Sequence, residues 1–370
     1  MNERFIIVGG GAAGYFAAIA CAEANPASNI TLLEKGKDVL GKVLMSGGGR
    51  CNVTHACFDP RELVQFYPRG SRELLGPFHK FQPGDTMEWF ADRGVELKIE
   101  SDNRVFPVTN SSQTIIDCLK EMAATNGIEV LTSAGVKAFQ SLEGDRWEVM
   151  TNTGQTYDCD ALMIASGSSK AMWDGLKKLG HKIVEPVPSL FTFNIKDMRL
   201  KGLSGISIPH TSVQIAASDL EAEGPLLITH WGLSGPAILR LSAWGARELS
   251  SRFYRFPILV NWLGRDEEEV LDLLSDEKKA SGKKRLGNHT MFDIPLRLWK
   301  SMVEAAGIKS TATWGDISSK QLKALCSELT CAVFQVTGKS TFKEEFVTAG
   351  GVDLKEIDFR SFQSRLCPNL

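Results

Sequence analysis

The first feature of the chain that could do chemistry is a set of glycines near its start. Gly9, Gly11 and Gly14 follow a short apolar run, and Glu34 ends a second apolar run. Gly9 permits a tight turn, Gly11 lets a pyrophosphate approach the backbone, and Gly14 lets the next helix pack against the strand. The helix predicted over 12–24 aims its first N–H groups at phosphates, and the Glu34 carboxylate accepts hydrogen bonds from ribose hydroxyls. This spacing predicts a dinucleotide site rather than a glycine-rich turn alone.

A second glycine-rich segment, residues 41–54, is the most specific part of the sequence. It contains, in order, Ser46, Gly47, Gly48, Gly49, Arg50, Cys51 and Asn52. Its glycine content predicts neither helix nor strand. Three adjacent glycines give a backbone that can lie flat against a planar ring, and Arg50 adds positive charge beside such a ring. A mobile surface loop is the alternative, but such a loop would not need this order of residues.

The stretch 128–167 indicates which dinucleotide is bound. A β-meander is predicted from strands at 128–139, 147–151 and 155–157, with turns at 143–145 and 152–154. The buried strand that follows ends in Ala165, Ser166 and Gly167. A dinucleotide fold with a β-meander crossover and this closing strand resembles the glutathione-reductase-like FAD domains, which favours FAD over NAD.

These segments together resemble the BaiN/YhiN-like flavoproteins, a family of NAD(P)/FAD-dependent oxidoreductases. The family pattern, close to G-K-K-L-x-x-S-G-G-G-R-C-N-V-T, is nearly unbroken in residues 41–54, and other matching stretches are 104–107, 229–236 and 348–352. The resemblance runs from Arg4 to Leu370. It implies bound FAD, NADH or NADPH as a transient electron donor, and a small hydrophobic substrate. Some relatives are associated with reducing carbon–carbon double bonds in steroid-like acids.

The resemblance also implies the architecture. The predicted fold class is α/β, a glutathione-reductase-like FAD-binding Rossmann domain with an inserted β-rich and helical domain. The predicted boundaries are 1–190 for the first part of the FAD domain, 191–345 for the insertion and 346–370 for the return near Phe346. Within the insertion we expect β structure over 191–263 and a helical part over 264–345, with helices at 266–279, 295–306 and 320–329 and a polar linker at 282–288. Family members continue beyond 370 with a strand, a glycine-rich turn and a helix, so we expect this chain to be truncated and to hold the flavin ring poorly.

The site residues follow from these motifs and the resemblance. The predicted catalytic residues are His230 and Arg50, and no metal site is predicted. The predicted cofactor-binding residues are Gly9, Gly11, Ala12, Ala13, Gly14, Glu34, Lys35, Lys42, Ser46, Gly47, Gly48, Gly49, Arg50, Cys51, Asn52, Val136, Ala165, Ser166 and Gly167. His230, in a turn rich in glycine and proline, is a candidate proton donor, and a purely structural turn histidine is its alternative.

Three other groups have a structural and a functional interpretation. Cys51 and Cys57 have the wrong spacing for the redox pair of disulfide reductases, so Cys51 is interpreted as a small packed residue. A basic cluster, formed by Lys278, Lys279, Lys283, Lys284 and Arg285, lacks interleaved aromatic residues and is interpreted as a solvated helix end rather than a nucleic-acid patch. Trp173 and Trp231 are interpreted as packed rather than stacked on a substrate.

Composition limits the function classes. The net charge is −2, which provides no global field for nucleic acid, and no run of 18 apolar residues indicates a membrane span. Eight cysteines scattered over 370 residues fit a reducing cytosol better than a disulfide framework, so we expect a cytoplasmic protein.

The sequence predicts an FAD-dependent oxidoreductase that reduces an enone-like or steroid-like acid. A tRNA-modifying flavoenzyme and a flavin-binding redox or interaction module without turnover are the alternatives. The oligomeric state is not predicted.

Overall fold

The chain divides into two compact units. The computed structural model describes residues 2–288, 290–309, 311–340 and 347–370. The first unit is Met1–Pro186 with Gly350–Leu370, and the second is Val187–Ala349. The predicted insertion, 191–345, falls within the second unit. The predicted return point, Phe346, lies outside the described residues.

The first unit contains ten strands and seven helices up to residue 178. Its strands are β1 (Arg4–Val8), β2 (Asn29–Leu33), β3 (Thr54–His55), β4 (Leu97–Ile99), β5 (Arg104–Pro107), β6 (Glu129–Leu131), β7 (Val136–Leu142), β8 (Arg146–Thr151), β9 (Thr156–Cys159) and β10 (Ala161–Ile164). Its helices are α1 (Ala12–Ala24), α2 (Gly41–Met45), α3 (Pro60–Leu63), α4 (Ser71–Phe78), α5 (Pro83–Ala91), α6 (Ser112–Thr125) and α7 (Lys170–Lys178).

A parallel sheet in the order β10-β1-β2-β6 forms the centre of this unit. Ile6, Ile7 and Val8 are all buried, as expected for a strand covered on both faces. Helix α1 packs Tyr15, Ala18 and Ile19 into one core with Ile7, because these helix positions recur at helical spacing on one face. The carboxyl ends of β1, β2 and β10 therefore lie along one edge, where ligands of such sheets bind.

The predicted single strand over 128–139 is wrong. β6 joins the parallel sheet, whereas β7 begins the antiparallel meander β7-β8-β9. The break lies at Ser133, whose φ of 56° is left-handed and whose N–H donates to the Gly36 carbonyl. The two predicted turns of the meander do form, and Gly144 and Gly154 adopt positive φ there.

The prediction that residues 41–54 contain neither helix nor strand is also wrong. Helix α2 covers Gly41–Met45, a 3-10 turn covers Ser46–Gly48, and β3 begins at Thr54. Glycine stands only at the first position of α2, and the next four residues, 42–45, are all compatible with a helix. The irregular part is limited to the glycines that follow.

The second unit is built on a six-stranded closed barrel with helices. Its strands are β12 (Thr192–Ile195), β13 (Ser207–Ile215), β14 (Glu221–Ile228), β15 (Gly232–Ser234), β16 (Phe256–Asn261) and β17 (Ala332–Ser340), in the barrel order β12-β15-β14-β13-β16-β17. Its helices are α8 (Pro236–Trp244), α9 (Ala246–Ser251), α10 (Glu267–Ala280), α11 (Leu296–Ala305) and α12 (Ser319–Thr330). Strands β11 (Ile183–Ser189) and β18 (Val347–Val352) form a separate two-stranded sheet.

Helices α10, α11 and α12 form within one residue of the three predicted helical segments. The division into a β-rich and a helical part is less sharp than predicted, however. Helices α8 and α9 interrupt the part predicted as β, and β17 closes the barrel from within the part predicted as helical. The predicted polar linker contains Leu286, whose side chain is completely buried in the core and whose carbonyl accepts the Trp299 indole N–H.

The C-terminal segment returns to the first unit. It contains a short hairpin, β19 (Ile357–Asp358) with β20 (Gln363–Ser364). The Asn369 carbonyl accepts a hydrogen bond from the Leu162 N–H, and the Pro368 carbonyl accepts one from the Trp147 indole. Within the described ranges, no helix has the length and apolar character needed to cross a bilayer.

Candidate functional site

The first glycine turn, Gly9–Gly14, depends on close backbone contacts. Gly9 has a φ of 118°, and a Cβ placed on it would lie 2.5 Å from the Ala165 carbonyl oxygen. A Cβ on Gly14 would lie 1.9 Å from the Gly9 carbonyl oxygen. Neither position tolerates a side chain without movement of the backbone, so these glycines let α1 begin directly over the end of β1.

The start of α1 is open to a ligand. Gly11 is its N-cap, no side chain caps the helix, and a Cβ on Gly11 would meet nothing within 4 Å. Ala12 and Ala13 are exposed, and the first turn carries no acidic residue. Free N–H groups and the positive end of the helix dipole therefore favour an anion such as a pyrophosphate.

Glu34, directly after β2, is fixed beside this turn. One carboxylate oxygen accepts the Gly10 N–H at 2.7 Å, and the other accepts the Gly36 N–H at 2.7 Å. Each oxygen keeps a further acceptor position, because a carboxylate has about four in total. The carboxylate is thus held at the sheet edge and still able to accept ribose hydroxyls. Its charge also contributes, after burial, to raising the pKa of Tyr15.

The second glycine loop, Ser46–Asn52, has an unusual backbone. Gly47, Gly48 and Gly49 have φ of 57°, 70° and 86°, and all three are exposed. The Ser46 carbonyl accepts the N–H groups of Gly49 and Cys51, both at 3.0 Å. A Cβ on Gly48 or Gly49 would meet nothing within 4 Å, so the outer side of the loop is open.

Helix α6 holds this loop in place. The Ser112 N–H donates to the Gly49 carbonyl at 2.8 Å, and its hydroxyl donates to the Leu44 carbonyl at 2.8 Å. On the other side, the Leu40 N–H donates to the Gly10 carbonyl at 2.8 Å. Leu40 is buried with a φ of 59° and leads directly into α2. The first glycine turn and the second glycine loop are therefore connected through one short, fixed segment.

Arg50 does not project freely from the loop. Its guanidinium forms an ion pair with Glu100, donates to the Asn110 side-chain oxygen at 2.7 Å and lies 4.0 Å from the centre of the Phe106 ring. These contacts hold the side chain over β5. In turn, the hydrogen bond from Arg50 lowers the pKa of Glu100, so this carboxyl group stays ionised beside the guanidinium at neutral pH.

The other predicted binding residues surround the same edge. Ala165 and Ser166 contact Gly9, and Gly167 follows with a φ of 59°. Lys35, Lys42 and Asn52 are exposed, and Val136 begins β7 two residues after Ala134, whose N–H donates to the Glu34 carbonyl. Cys51 and Cys57 are buried free thiols, and burial raises the pKa of both. A raised pKa disfavours the thiolate that redox chemistry needs.

His230 belongs to the second unit. It is exposed in the turn between β14 and β15 and lines a cleft of about 340 Å³ with Lys196, Met198 and Lys201. The Thr229 hydroxyl oxygen accepts the Trp231 and Gly232 N–H groups, both at 3.2 Å, which fixes the turn. Trp231, interpreted as packed, is 53% exposed because it lies at the tip of this turn.

Sequence reasoning missed several residues that shape the site. Leu40 needs a left-handed backbone that leucine rarely adopts, and no sequence pattern indicates it. Ser112 belongs to a helix start far along the chain. Of the two partners of Arg50, Phe106 lies within the family-matching stretch 104–107, and Glu100 lies four residues before that stretch. No sequence pattern places these two residues beside Arg50, because the contact is made through the β3-β5-β4 sheet.

A family model described as the HI0933-like protein Rossmann domain matches residues 3–370. The chain belongs to this family. The predicted resemblance and the predicted Rossmann-type α/β fold class are thereby confirmed. Membership also supports the coarser functional prediction, a flavoprotein oxidoreductase that uses FAD.

Curated relatives span nearly the whole chain. A ribosomal RNA dihydrouridine synthase from Escherichia coli is 28% identical over 100% of this chain and 90% of its own length. The Haemophilus influenzae protein of the same name is 27% identical over 97% and 88%. A 3-dehydro-bile acid delta(4,6)-reductase from Clostridium scindens is 23% identical over 100% and 91%. Among solved structures, the open conformation of a flavocytochrome c3 fumarate reductase is 16% identical, with a TM-score of 0.36 over 56% of this chain and 47% of that one.

Proposed function

We propose that this chain is an FAD-dependent reductase that saturates a carbon–carbon double bond conjugated with a carbonyl group. NADH or NADPH supplies the electrons. The observation that carries the proposal is the uncapped start of α1 connected, through Leu40, to the open second glycine loop. One end suits a pyrophosphate and the other suits a flat ring, so the first unit has the parts needed for a flavin dinucleotide.

The residues present fit FAD. The first N–H groups of α1, at Ala12 and Ala13, would hold the pyrophosphate, and Glu34 would accept the adenosine ribose hydroxyls. Gly48 and Gly49 would let the ring approach the backbone, because nothing fills the space beside them. Bound FAD supplies the hydride chemistry, and the protein supplies orientation and charge.

The names of the relatives support the reaction class. A dihydrouridine synthase saturates a double bond of uracil that is conjugated with a carbonyl, and the name of the delta(4,6)-reductase describes double-bond reduction in a bile acid with a 3-keto group. The same balanced reaction applies to both: NAD(P)H, a proton and the unsaturated carbonyl compound give NAD(P)⁺ and the saturated compound. The names of the relatives therefore support the type of bond that is reduced, and the substrate needs a separate argument.

For the substrate, we favour a uracil base in RNA. Two relatives named for ribosomal RNA are 27–28% identical to this chain, whereas the relative named for a bile acid is 23% identical. The predicted hydrophobic enone or steroid-like acid stays the second candidate, supported by the Clostridium scindens relative. The chemistry at the reacting bond is common to both substrates, so the surrounding surface decides between them.

His230 remains the candidate proton donor to the substrate. Its side chain is exposed on a turn that Thr229 fixes, and it lines a cleft with two lysines. Replacing it by glutamine keeps hydrogen bonding but removes the exchangeable acid. We expect His230→Gln to lower kcat by roughly 10²-fold or more, the range for general acid catalysis. Flavin reduction by NAD(P)H should stay unchanged, because that half-reaction does not use this proton.

Arg50 remains the candidate charge beside the ring. If so, Arg50→Gln should lower the flavin midpoint potential by about 30 mV for each 1.4 kcal/mol of lost interaction. Glu100→Gln should raise it, because the compensating carboxylate is removed. A potential that is unaffected in both variants would place the ion pair away from the ring.

The decisive experiment is anaerobic. The protein is loaded with FAD and reduced by NADH or NADPH, and the flavin is then reoxidised by a ribosomal RNA fragment, a tRNA transcript, a steroid-like enone or a quinone. Each unsaturated substrate is paired with its saturated form as the control. We expect faster reoxidation by an unsaturated carbonyl compound than by its saturated form. Equal rates for all pairs would refute the reductase and favour a flavin-binding module without turnover.

A further inference from the structure

The segment between Phe58 and Phe81 exposes an unusual number of aromatic rings. Phe58, Phe66, Tyr67 and Phe81 are 50%, 52%, 39% and 40% exposed. Half of the exposed Phe, Tyr and Trp side chains of the described residues fall in this one stretch. Single exposed apolar residues need no explanation, but a local group of them marks an interaction surface.

Basic residues alternate with these rings. Arg69, Arg72 and Lys80 are exposed, and so is His79. Over residues 66–81 these three cations stand against a single carboxylate, Glu73, whereas Asp59 and Glu62 lie before this stretch, in a chain whose overall net charge is −2. The local charge therefore has the opposite sign to that of the whole chain. We call residues 66–81 the aromatic-basic surface.

Helix α4 gives this surface a flat, open centre. Arg72, Gly76 and His79 are spaced by four and three residues, which places them in line on one helical face. Gly76 is exposed, and a Cβ on it would meet nothing within 4 Å. Pro77 follows Gly76 within the helix, and a Cβ before a proline is disfavoured in helical backbone, so glycine suits this position for a local reason as well. The backbone at Gly76 is therefore uncovered between Arg72 and His79.

The surface is built on a fixed support. Leu63 and Val64 are buried beneath it, and the Asp59 side chain caps α3 by accepting the Arg61 N–H at 2.7 Å. The Tyr67 and Phe78 rings lie 5.5 Å apart. Rings displayed on a rigid support lose little conformational entropy on binding, which favours stacking on a partner.

We propose that the aromatic-basic surface binds single-stranded RNA. Exposed rings stack on unpaired bases without regard to sequence, and cations beside them neutralise phosphates. Phe66 and Tyr67 are the stacking residues, and Arg72 and Lys80 contact the backbone across Gly76. The proposal rests on the proposed function in one respect, since it assigns the RNA that carries the reacting base to this surface. The basic cluster Lys278–Arg285 has charge without rings and serves as the comparison.

The test measures binding without turnover. Anisotropy of a labelled, unstructured twelve-nucleotide RNA rich in uridine is followed against the FAD-loaded protein, and a duplex of the same sequence is the second probe. We expect the single strand to bind more tightly, because paired bases cannot stack on the rings. Phe66→Ser combined with Tyr67→Ser should weaken binding about tenfold or more. Arg72→Gln combined with Lys80→Gln should reduce the slope of log K against log salt by about 1.4.

Gly76→Leu is the sharpest variant. The position is open and its φ is not left-handed, but Pro77 follows it, so leucine should lower the midpoint of thermal unfolding somewhat, and binding is measured well below that midpoint. The same side chain would cover the bare backbone, and we expect RNA affinity to fall at least tenfold. Lys283→Gln combined with Lys284→Gln is the matched control, which removes two cations from a cluster without rings and should leave the affinity within twofold.

The outcomes separate this proposal from the proposed function. Three results would refute RNA binding by this surface. They are equal affinity for duplex and single strand, an equal loss of affinity in the control variant, and unchanged affinity in Gly76→Leu. Turnover of RNA that Gly76→Leu leaves unaffected would also refute RNA binding by this surface, while the reductase proposal stands. Binding that depends on this surface, without reduction of any RNA base, would support the surface and refute RNA as the reductase substrate.

Discussion

The two glycine-rich segments of the first unit use the same residue for different physical reasons. In the first turn, Gly9 and Gly14 are needed because a Cβ would lie 2.5 Å or 1.9 Å from a carbonyl oxygen. In the second loop, Gly48 and Gly49 have free space around them, and only their positive φ values favour glycine. One segment is closed by its own backbone, and the other is open outward.

This difference indicates what each segment contributes. A closed turn fixes the start of a helix, and its glycines act mainly on folding. An open loop has room for a methyl group, so a substitution there costs only the strain of the positive φ, and its glycines also act on whatever approaches from outside. We therefore expect substitutions in the first turn to lower stability and cofactor binding together. For the second loop we expect a loss of cofactor binding that the loss of stability does not explain.

The largest expected effect is that of Gly14→Ala. The new methyl group would overlap the Gly9 carbonyl, and because both atoms belong to the backbone region, a rotamer change cannot relieve the overlap. We expect a loss of roughly 3 kcal/mol in the free energy of unfolding, at the upper end of the cost of overpacking. Urea unfolding measures it. Gly11→Ala, where a Cβ meets nothing, is the control, and equal stability of the two variants would contradict the closed-turn description.

Glu34→Ala comes next. It removes the acceptor of the Gly10 and Gly36 N–H groups and the expected acceptor of the ribose hydroxyls. FAD affinity should fall by about 2–3 kcal/mol, the range for hydrogen bonds to a charged group. Titration of the apoprotein with FAD gives the value, and Glu34→Gln should lie between wild type and alanine. Unchanged affinity would mean that the ribose is held elsewhere.

Gly48→Ala tests the open loop. The alanine would have to adopt a φ of 70°, which costs roughly 1–2 kcal/mol. Gly144→Ala is a matched control, because Gly144 has a φ of 74°, equally open surroundings and a place in a distant turn. We expect the two variants to be equally destabilised, but only Gly48→Ala to weaken FAD binding. Equal FAD affinity in both would mean that the ring does not lie against this loop.

The same contrast explains how far the sequence could predict the molecule. The spacing of Gly9, Gly11 and Gly14 states a local requirement, so the turn, α1 and the position of Glu34 could be predicted closely. The second loop could be recognised, but helix α2 was missed because glycines nearby outweighed four residues, 42–45, that favour a helix. A prediction from local composition averages over several residues, so it misses the end of a helix, which the backbone conformation places at a single residue.

Long-range contacts could not be predicted from the sequence. Strand β17 was assigned to a helical region because its role, closing the barrel between β12 and β16, depends on strands 60 or more residues away. Arg50 was expected to act as a free charge, and its pairing with Glu100 follows from the β3-β5-β4 sheet rather than from any motif. Positions are predictable where a motif is contiguous, and much less so where partners come from separate elements.

The smallest expected effect concerns this ion pair. The hydrogen bond from Arg50 lowers the pKa of Glu100 below its ordinary value of 4.5, and the charges of Arg50, Lys98 and Arg104 act in the same direction. A lowered folded-state pKa means that the pair stabilises the fold above about pH 4.5 and loses this contribution as the pH falls through the lowered value. We expect Glu100→Gln to be slightly less stable than wild type at pH 7 and equal to it at acidic pH, with the difference also reduced by salt. Urea midpoints between pH 3 and pH 7 give the comparison.

Glu143→Gln, at an exposed carboxylate with no ion pair among the described residues, should show no such trend. A difference between Glu100→Gln and wild type that stays constant across this range would mean that the pair contributes through packing on Phe106 rather than through charge.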